Sequence, residues 1–273
     1  MAGFKTRFAS AVVLVIVLGS ALYFGSYYLW GLLLASSLIG LFEFYRAMRR
    51  PDEREKMKMN ILEFVGYAGV LAYYLVMLFT RSEKYMFLTL IIILICAMII
   101  FVLRYPQFNT ASLMQGFFGV IYVGVMLSFV YMTRSAAHGS HLVWLIFISS
   151  WVCDTAAYLS GMAFGKHRLA PVLSPKKSIE GSIGGILGAA LVGFIFGNIA
   201  GSHAPEYALI SAIGAVISQF GDLTASAIKR NHDIKDYGKL IPGHGGILDR
   251  FDSVIITAPI IYLLAQIILL KGR

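Results

Sequence analysis

Apolar residues along this chain fall into long blocks that are separated by short polar stretches. The blocks are close to 20 residues long, enough for a helix to cross the roughly 30 Å hydrocarbon core of a bilayer. Runs such as 88–102 show no alternation of polar and apolar positions, which argues against the strands of a membrane barrel. The pattern predicts an all-α, polytopic integral membrane protein with about nine transmembrane helices, at residues 9–24, 27–45, 61–80, 85–103, 112–133, 142–165, 182–201, 206–228 and 253–270.

Composition supports this interpretation. The 273 residues are 58% hydrophobic, and only 14% are charged, whereas a soluble domain carries about a quarter. Lys5 and Arg7 precede the first block as in a signal peptide, but the second block follows at once, so we expect the first to be retained. Cys96 and Cys153 lie inside apolar blocks, and we expect both to be small buried side chains rather than disulfide partners or metal ligands.

The distribution of lysine and arginine predicts the orientation in the cell membrane. With nine spans, 18 of the 23 basic residues fall on the side of the N-terminus. The positive-inside rule places that side, including the polar run after the eighth span, in the cytoplasm and the C-terminus outside. A basic cytoplasmic face suits anionic lipid and nucleotide phosphates, and because the charges lie in loops we expect no nucleic acid partner.

The polar residues also divide the chain. We predict that residues 1–135 form a scaffold of five helices and that residues 136–273 form a catalytic part with four helices and the cytoplasmic polar run. Glycines recur at four-residue spacing in the seventh span, which favours close helix packing and leaves a homodimer seam open.

Asp154 and Asp222 are acids inside apolar spans, where a charge costs at least about 2.5 kcal/mol on insertion scales and is by default a functional candidate. Asp154 would lie about 18 Å and Asp222 about 12 Å from the cytoplasmic ends of their helices, at 1.5 Å per residue. The two side chains can therefore share one cavity that faces the cytoplasm.

The helix that carries Asp222 continues the polar pattern. Ser226, Lys229 and Arg230 follow at i+4, i+7 and i+8, so that all four residues lie on one helical face. This arrangement indicates a polar stripe that leads from the cavity to the cytoplasm. The alternative is a salt bridge within the helix.

The loop that follows is rich in glycine. Gly245 and Gly246 belong to turns whose backbone N–H groups can hold an anion, and His244 is a candidate phosphate contact. Asp249 resembles a magnesium ligand, since Mg²⁺ binds carboxylates together with substrate phosphate oxygens. Asp252 has two interpretations, as part of the site or as an acid that favours the N-terminus of the last helix.

A second polar segment precedes the seventh span. Ser174 begins a Ser-Pro turn signal, and Lys176 and Lys177 follow it. Ser178 is a candidate N-cap for the next helix, and Glu180 follows it closely. The two lysines predict an anion site, although a topological anchor would also explain them.

Together these residues indicate a metal-assisted phosphoryl or nucleotidyl transferase that acts on a membrane substrate. The polar run resembles the signature of the phosphatidate cytidylyltransferases (CDP-diacylglycerol synthases): Ser-x-x-Lys-Arg, four residues, Lys-Asp, then Ile-Pro-Gly-His-Gly-Gly-x-x-Asp-Arg-x-Asp. Matching positions also occur at Asp154, at 164–166, at 174–177, at 180–181 and at 220–222. Ser178 stands where the family commonly has Thr, which keeps the hydroxyl. The resemblance covers about the last 120 residues.

The resemblance implies that CTP and phosphatidic acid give CDP-diacylglycerol and pyrophosphate, with Mg²⁺ as cofactor and a second ion of open identity. By this analogy Asp222 and Asp249 hold the metal ions. The residues that it implies to be catalytic are Asp222, Lys229, Arg230, Asp249 and Arg250. Those that it implies to bind substrate are Asp154, Ser174, Lys176, Lys177, Glu180, Ser226, Lys239, His244, Gly245, Gly246 and Asp252.

Two other functions compete with this prediction. A CTP-dependent kinase of polyprenol or another lipid alcohol would share the nucleotide, the metal ions and the membrane. A transporter could use Asp154 and Asp222 as an ion relay, but the sequence lacks the two related halves with broken helices that would favour a transporter.

Overall fold

The computed structural model of the protein describes residues 3–49, 54, 59–201, 203–243 and 245–269. Within these ranges the chain forms nine helices and one short hairpin. The helices are α1 (Phe4–Phe24), α2 (Ser26–Met48), α3 (Ile61–Thr80), α4 (Glu83–Leu103), α5 (Thr110–Ser135), α6 (Gly139–Phe164), α7 (Ile179–Ile199), α8 (Ala204–Asn231) and α9 (Leu248–Ile268). The hairpin pairs β1 (Arg168–Ala170) with β2 (Ser174–Ser178) in antiparallel orientation.

The helices agree with the hydropathy pattern. Eight of those described, α2 to α9, are long and apolar enough to cross a bilayer, and α1 contains a shorter apolar stretch at Phe8–Phe24. A helix satisfies all of its backbone hydrogen bonds internally, which is why apolar blocks of this length fold in this way in lipid. The prediction of an all-α, polytopic membrane protein with about nine helices is confirmed.

The described residues divide into two compact units. The first consists of Met1–Ser128 together with Asp236–Arg250, and the second of Phe129–Lys235 together with Phe251–Arg273. Residues 236–250 of the polar run thus group with the N-terminal helices, although the sequence places them beside the last four helices. The assignment of scaffold and catalytic roles to 1–135 and 136–273 stays a prediction.

Polar contacts join the helices of the first unit. Ser37 and Tyr74 are hydrogen bonded through their hydroxyl groups at 2.8 Å, and the Trp30 indole donates to the Tyr74 carbonyl at 3.0 Å. Tyr74 is fully buried, so both of its polar groups need such partners. These bonds connect α2 to α3.

Glycines let α7 pack closely against its neighbours in the second unit. A Cβ atom at Gly185 would lie 2.9 Å from the Ala157 Cβ atom of α6, and one at Gly193 would lie 2.8 Å from the Tyr207 carbonyl oxygen of α8. Real Cβ atoms almost never approach so closely. The predicted packing role of these glycines is confirmed, and Ser178 caps α7 as expected by accepting from the Gly181 N–H at 3.1 Å.

Three local features differ from the sequence-based expectation. Two helices contain π-helical turns, at Val120–Val125 in α5 and at Ile148–Val152 in α6, just before Asp154. Such turns change the direction of the side chains that follow and are frequent at functional sites. The turn predicted at Ser174 is wrong, because Ser174 pairs with Ala170 in the hairpin and the reversal occurs at 171–173.

The two cysteines have different environments. Cys153 is buried as expected, but Cys96 is exposed on α4, so the prediction of burial is wrong for Cys96. Most side chains of α4 face outward, and α4 is the most apolar of the described spans. A membrane helix can expose a thiol to lipid without the penalty that water would impose.

Candidate active site

A cavity of about 390 Å³ lies in the second unit. Four residues singled out in the sequence line it together, namely Asp154 of α6, Asp222 of α8 and the lysines of β2, Lys176 and Lys177. The depth argument for a shared cavity thus agrees with the structure. Other parts of the lining are apolar and include Tyr158, Met162 and Leu169.

Asp222 forms an ion pair with Lys177 in this cavity. Each side chain keeps 27% of its surface exposed, so the pair remains accessible from the cavity. The partner comes from the hairpin and not from the helix that carries Asp222. The alternative of a salt bridge between Asp222 and a cation of its own helix is therefore wrong.

Lys229 pairs instead with Asp252. The charged atoms are 3.8 Å apart, and both side chains are 12% exposed. Asp252 also lies within electrostatic range of Asp222 and Asp154. Carboxylates from α6, α8 and α9 thus influence one another electrostatically in the second unit, and Lys177 and Lys229 each pair with one of them.

Helix α8 continues through the polar stripe predicted on it. It ends at Asn231, so Asp222, Ser226, Lys229 and Arg230 all belong to one regular helix. The Arg230 guanidinium donates to the Ile234 carbonyl at 3.3 Å. The four residues therefore share one helix as predicted, and the course of the stripe from the cavity to the cytoplasm stays a prediction.

The start of α9 resolves one alternative. The helix begins at Leu248, so the acid of its first turn is Asp249, and Asp252 lies one turn further along. The interpretation of Asp252 as an acid at the helix N-terminus is wrong for this reason. Its contact with Lys229 takes the place of that role.

Asp249 organises the loop of the first unit. Its Oδ2 atom accepts from the backbone N–H groups of Tyr237 at 2.8 Å, Gly246 at 3.0 Å and Gly238 at 3.4 Å. The side chain is 6% exposed, and a buried carboxylate with several N–H donors is well stabilised. The loop between the donors turns through Gly245, whose φ is +86°.

Glu43 of α2 contacts the same loop and was not predicted. It accepts from the N–H groups of Ile247 at 3.1 Å and Leu248 at 2.8 Å, at the start of α9. Arg46, one turn later, donates to the Tyr237 carbonyl at 2.8 Å. Glu43 is an acid within the predicted span 27–45, so the argument that singled out Asp154 applied to it equally.

The remaining loop residues have varied surroundings. The Nε atom of Arg250 is buried and has no hydrogen-bond partner among the described residues, which is suited to an incoming anion. Lys239 is exposed, Gly245 is half-buried and Gly246 is buried. His244 lies outside the described residues.

Glu180 contacts the segment that precedes the hairpin. Its carboxylate accepts from the backbone N–H groups of Lys166 at 3.0 Å and His167 at 3.2 Å, and it lies 2.6 Å from the His167 ring nitrogen. Neither Glu180 nor Ser174 is among the described residues that line the cavity. The same holds for Ser226, Lys229 and Asp252, so their predicted substrate contacts stay predictions.

The two carboxylates proposed as metal ligands differ in how well their surroundings suit Mg²⁺. The described residues contain no group of three or more His, Cys, Asp or Glu side chains that could hold a metal ion. Mg²⁺, however, needs only one or two carboxylates when phosphate oxygens complete its shell. Asp222 already pairs with a cation and fits this role, whereas Asp249 would have to use the oxygen that does not bind the three loop amides.

Comparison with known proteins gives a consistent result. A sequence model of the cytidylyltransferase family matches residues 5–268. The phosphatidate cytidylyltransferase of Staphylococcus aureus (strain COL) is 34% identical over 221 residues, which cover 77% of this chain and 84% of the relative. The protein of the same name from Staphylococcus saprophyticus is 31% identical over 220 residues, with the same two coverages. The match extends over nearly the whole chain and includes both units, and the chain therefore belongs to the cytidylyltransferase family.

Proposed function

We propose that this protein transfers the cytidylyl group of CTP to phosphatidic acid, which gives CDP-diacylglycerol and pyrophosphate. The observation that carries the proposal is the cavity in which Asp154, Asp222, Lys176 and Lys177 meet within a unit of membrane-spanning helices. Charge of both signs within such a unit is costly and by default marks a functional site. The relatives named above are phosphatidate cytidylyltransferases. Phosphatidate has a charged headgroup and apolar acyl chains, which suits a cavity that has both charged and apolar lining residues.

The reaction needs charge neutralisation more than proton transfer. A phosphate oxygen of phosphatidic acid attacks the α-phosphorus of CTP, and the bond from that phosphorus to the oxygen bridging to the β-phosphorus breaks. Pyrophosphate leaves with the electron pair of that bond. The attacking monoester is already ionised at neutral pH, so no strong general base is required. The barrier is largely the approach of one anion to another, which cations lower.

The cationic side chains divide between the two units in this proposal. Lys176 and Lys177 of the hairpin would bind phosphate oxygens within the cavity of the second unit. Arg250 in the first unit would receive an anion at its unpartnered Nε atom. Lysine offers a point charge with three donors, and arginine offers a planar fork, so both suit phosphate.

We also propose Mg²⁺ as the cofactor, with Asp222 and Asp249 as protein ligands. When bound, the metal would neutralise charge on the phosphates and stabilise the leaving pyrophosphate. Asp222 brings a carboxylate that already faces a cation. Lys177 would release that carboxylate as the metal binds and would then be available to the substrate phosphate.

We propose that the protein lies in the cell membrane and that the polar loop and the entrance of the cavity face the cytoplasm. CTP is a cytoplasmic nucleotide, and the excess of basic residues on this side predicts the same orientation. Phosphatidic acid would reach the charged groups from the bilayer, past apolar lining residues such as Tyr158 and Met162.

A homodimer is a further proposal. Gly185 and Gly193 of α7 pack against other helices of the same chain, so a dimer seam would use another surface. Crosslinking in native membranes, with quantification of the dimer band, tests whether two copies associate.

Radiolabelled nucleotide tests the proposed reaction directly. Purified protein in mixed micelles would receive phosphatidic acid and CTP labelled at either the α- or the γ-phosphate. We expect label in the lipid product only from α-labelled CTP, together with release of pyrophosphate. Transfer of the γ-label to a lipid alcohol would instead establish the competing kinase function and overturn the proposal.

A further inference from the structure

We propose that Glu43 and Arg46 of α2 are positioning residues for the reaction. They hold the loop that consists of residues 237–243 and 245–249 in the shape that presents Arg250 to the phosphates of CTP. This inference rests on the proposed function, because it names CTP as the anion that Arg250 meets. It assigns a role in catalysis to a helix that the sequence predicts to be scaffold.

The first contact is at the start of α9. Both oxygens of Glu43 accept a backbone N–H, one from Ile247 and one from Leu248. These N–H groups have no partner within the helix, and a negative charge beside them is favourable because the helix N-terminus carries partial positive charge. Glu43 is only 3% exposed, so the contact is shielded from water.

The loop backbone lies between two carboxylates. Asp249 binds the N–H groups of Tyr237, Gly238 and Gly246 with one oxygen. Glu43 lies against the same glycines, since a Cβ atom at Gly238 would be 2.6 Å from its carboxyl carbon, and one at Gly246 would overlap its carboxyl group. Only glycine at these two positions allows the loop backbone to lie this close to the Glu43 carboxylate.

Arg46 secures the other end of the loop. Its guanidinium donates to the carbonyl of Tyr237, a residue that is 1% exposed, and its Cζ atom is 5.7 Å from the centre of the Phe42 ring. Glu43 and Arg46 lie three residues apart on one face of α2. A single helix therefore fixes both the beginning and the end of the loop.

Arg250 follows directly from the segment that Glu43 holds. The Arg250 backbone N–H donates to the Ile247 carbonyl at 2.9 Å, so the position of Ile247 determines where the Arg250 side chain starts. Its Nε atom is buried without a hydrogen-bond partner among the residues that the structure describes. A guanidinium held in this position is preorganised to bind an anion. That preorganisation would be lost if the loop were mobile.

The test compares Glu43→Gln with Glu63→Gln. Glu63 serves as the control, because it is also buried in the first unit and also accepts a backbone N–H at a helix start, but that N–H belongs to Asn60, the N-cap of its own helix. Its carboxylate also forms an ion pair with Arg49 and, among the described residues, makes no hydrogen bond to the loop. An amide at position 43 offers one acceptor oxygen in place of two and carries no negative charge. We expect Glu43→Gln to lower kcat/KM for CTP by about 10- to 100-fold, the effect of losing a charge-assisted hydrogen bond.

The KM for phosphatidic acid should change less than about twofold in Glu43→Gln, because the loop is proposed to meet the nucleotide. Glu63→Gln should keep both kinetic constants even if its thermal stability falls. Equal kinetic losses in the two variants, or wild-type kinetics in folded Glu43→Gln, would overturn the proposal. If Glu43→Gln does not fold, Arg46→Gln replaces it, and we expect the same loss in kcat/KM for CTP with little change in the KM for phosphatidic acid. Arg46→Lys should recover part of the activity.

Hydrogen exchange separates this inference from the proposed function. Peptides that contain residues 245–250 should exchange at least about tenfold faster in Glu43→Gln than in wild type, since local opening is then easier. Glu63→Gln should leave their exchange unchanged. Wild type without activity on CTP and phosphatidic acid would refute the proposed function. Unchanged exchange in Glu43→Gln would refute the positioning role alone.

Discussion

At the scale of single residues, the same side-chain type has two different tasks in this protein. Asp222 faces a cation in a cavity, whereas Asp249 binds three backbone amides of a loop. Both were singled out in the sequence as metal ligands. Their surroundings predict different consequences for the same substitution.

Asp222→Asn and Asp249→Asn should each reduce turnover by about 10²-fold or more, because each removes a charge that is proposed to bind metal. Asp249→Asn keeps an oxygen that can accept from the loop amides, so it should fold. The measurement is kcat against Mg²⁺ concentration for protein that is monodisperse in detergent. Near-normal turnover of either folded variant at all Mg²⁺ concentrations would remove that residue from the metal site.

Lys176→Gln and Lys177→Gln should differ. Lys177 pairs with Asp222 and also lines the cavity, whereas Lys176 is an exposed residue of the cavity wall. We therefore expect Lys177→Gln to have at least about tenfold the effect of Lys176→Gln on kcat/KM, since it leaves a carboxylate without its partner. The measurement is kcat and KM for both substrates in each single variant, with the amount of membrane-inserted protein as a control. Wild-type kinetics in both would make the lysines topological residues only.

At the scale of elements, the close packing of α7 decides how the second unit holds together. The glycines of α7 face α6 and α8, and its larger side chains, such as Leu187 and Leu191, face outward. Helices in lipid gain little from the hydrophobic effect and associate through close van der Waals contact. The cavity lies between the elements that these contacts join.

Gly193→Val should destabilise the protein by about 1–3 kcal/mol, because the added carbons have no room against Tyr207 and Ser211 of α8. Gly31→Val is the matched control, since a Cβ atom at Gly31 of α2 has no neighbour within 4 Å. Thermal unfolding in detergent measures both. A loss in Gly31→Val as large as that in Gly193→Val would show that valine itself, and not the packing of α7, causes the effect.

At the scale of the whole molecule, the predicted nine spans would place the two ends of the chain on opposite sides of the membrane. With nine spans, 18 basic residues would lie on the side of the polar loop and 5 on the opposite side. The energetic reason is that lysine and arginine are retained on the cytoplasmic side during insertion.

Arg273→Cys tests this topology in a background where Cys96 and Cys153 are replaced by serine. In sealed inside-out vesicles a membrane-impermeant thiol reagent should not label the new cysteine until detergent is added. A cysteine at position 239, an exposed residue of the polar loop, serves as the positive control and should react at once. Prompt labelling at position 273 from the cytoplasmic face would contradict the nine-span arrangement.

Much of this protein follows from its sequence. The bilayer demands apolar helices of a certain length, so the spans could be placed from hydropathy, and the start of α7 followed from its Ser178 cap. The polar run between Ser226 and Asp252 was recognisable because its residue types and spacing are specific. These features depend on neighbours along the chain, which the sequence displays directly.

The partners of the charged groups were decided by the tertiary structure alone. Lys177 forms an ion pair with Asp222, and Lys229 forms one with Asp252. The local sequence would equally have allowed a salt bridge between Asp222 and a cation of α8. Glu43 meets residues more than 200 positions away. Helical periodicity states which face of a helix is polar, but only the packing of distant segments determines which group that face meets.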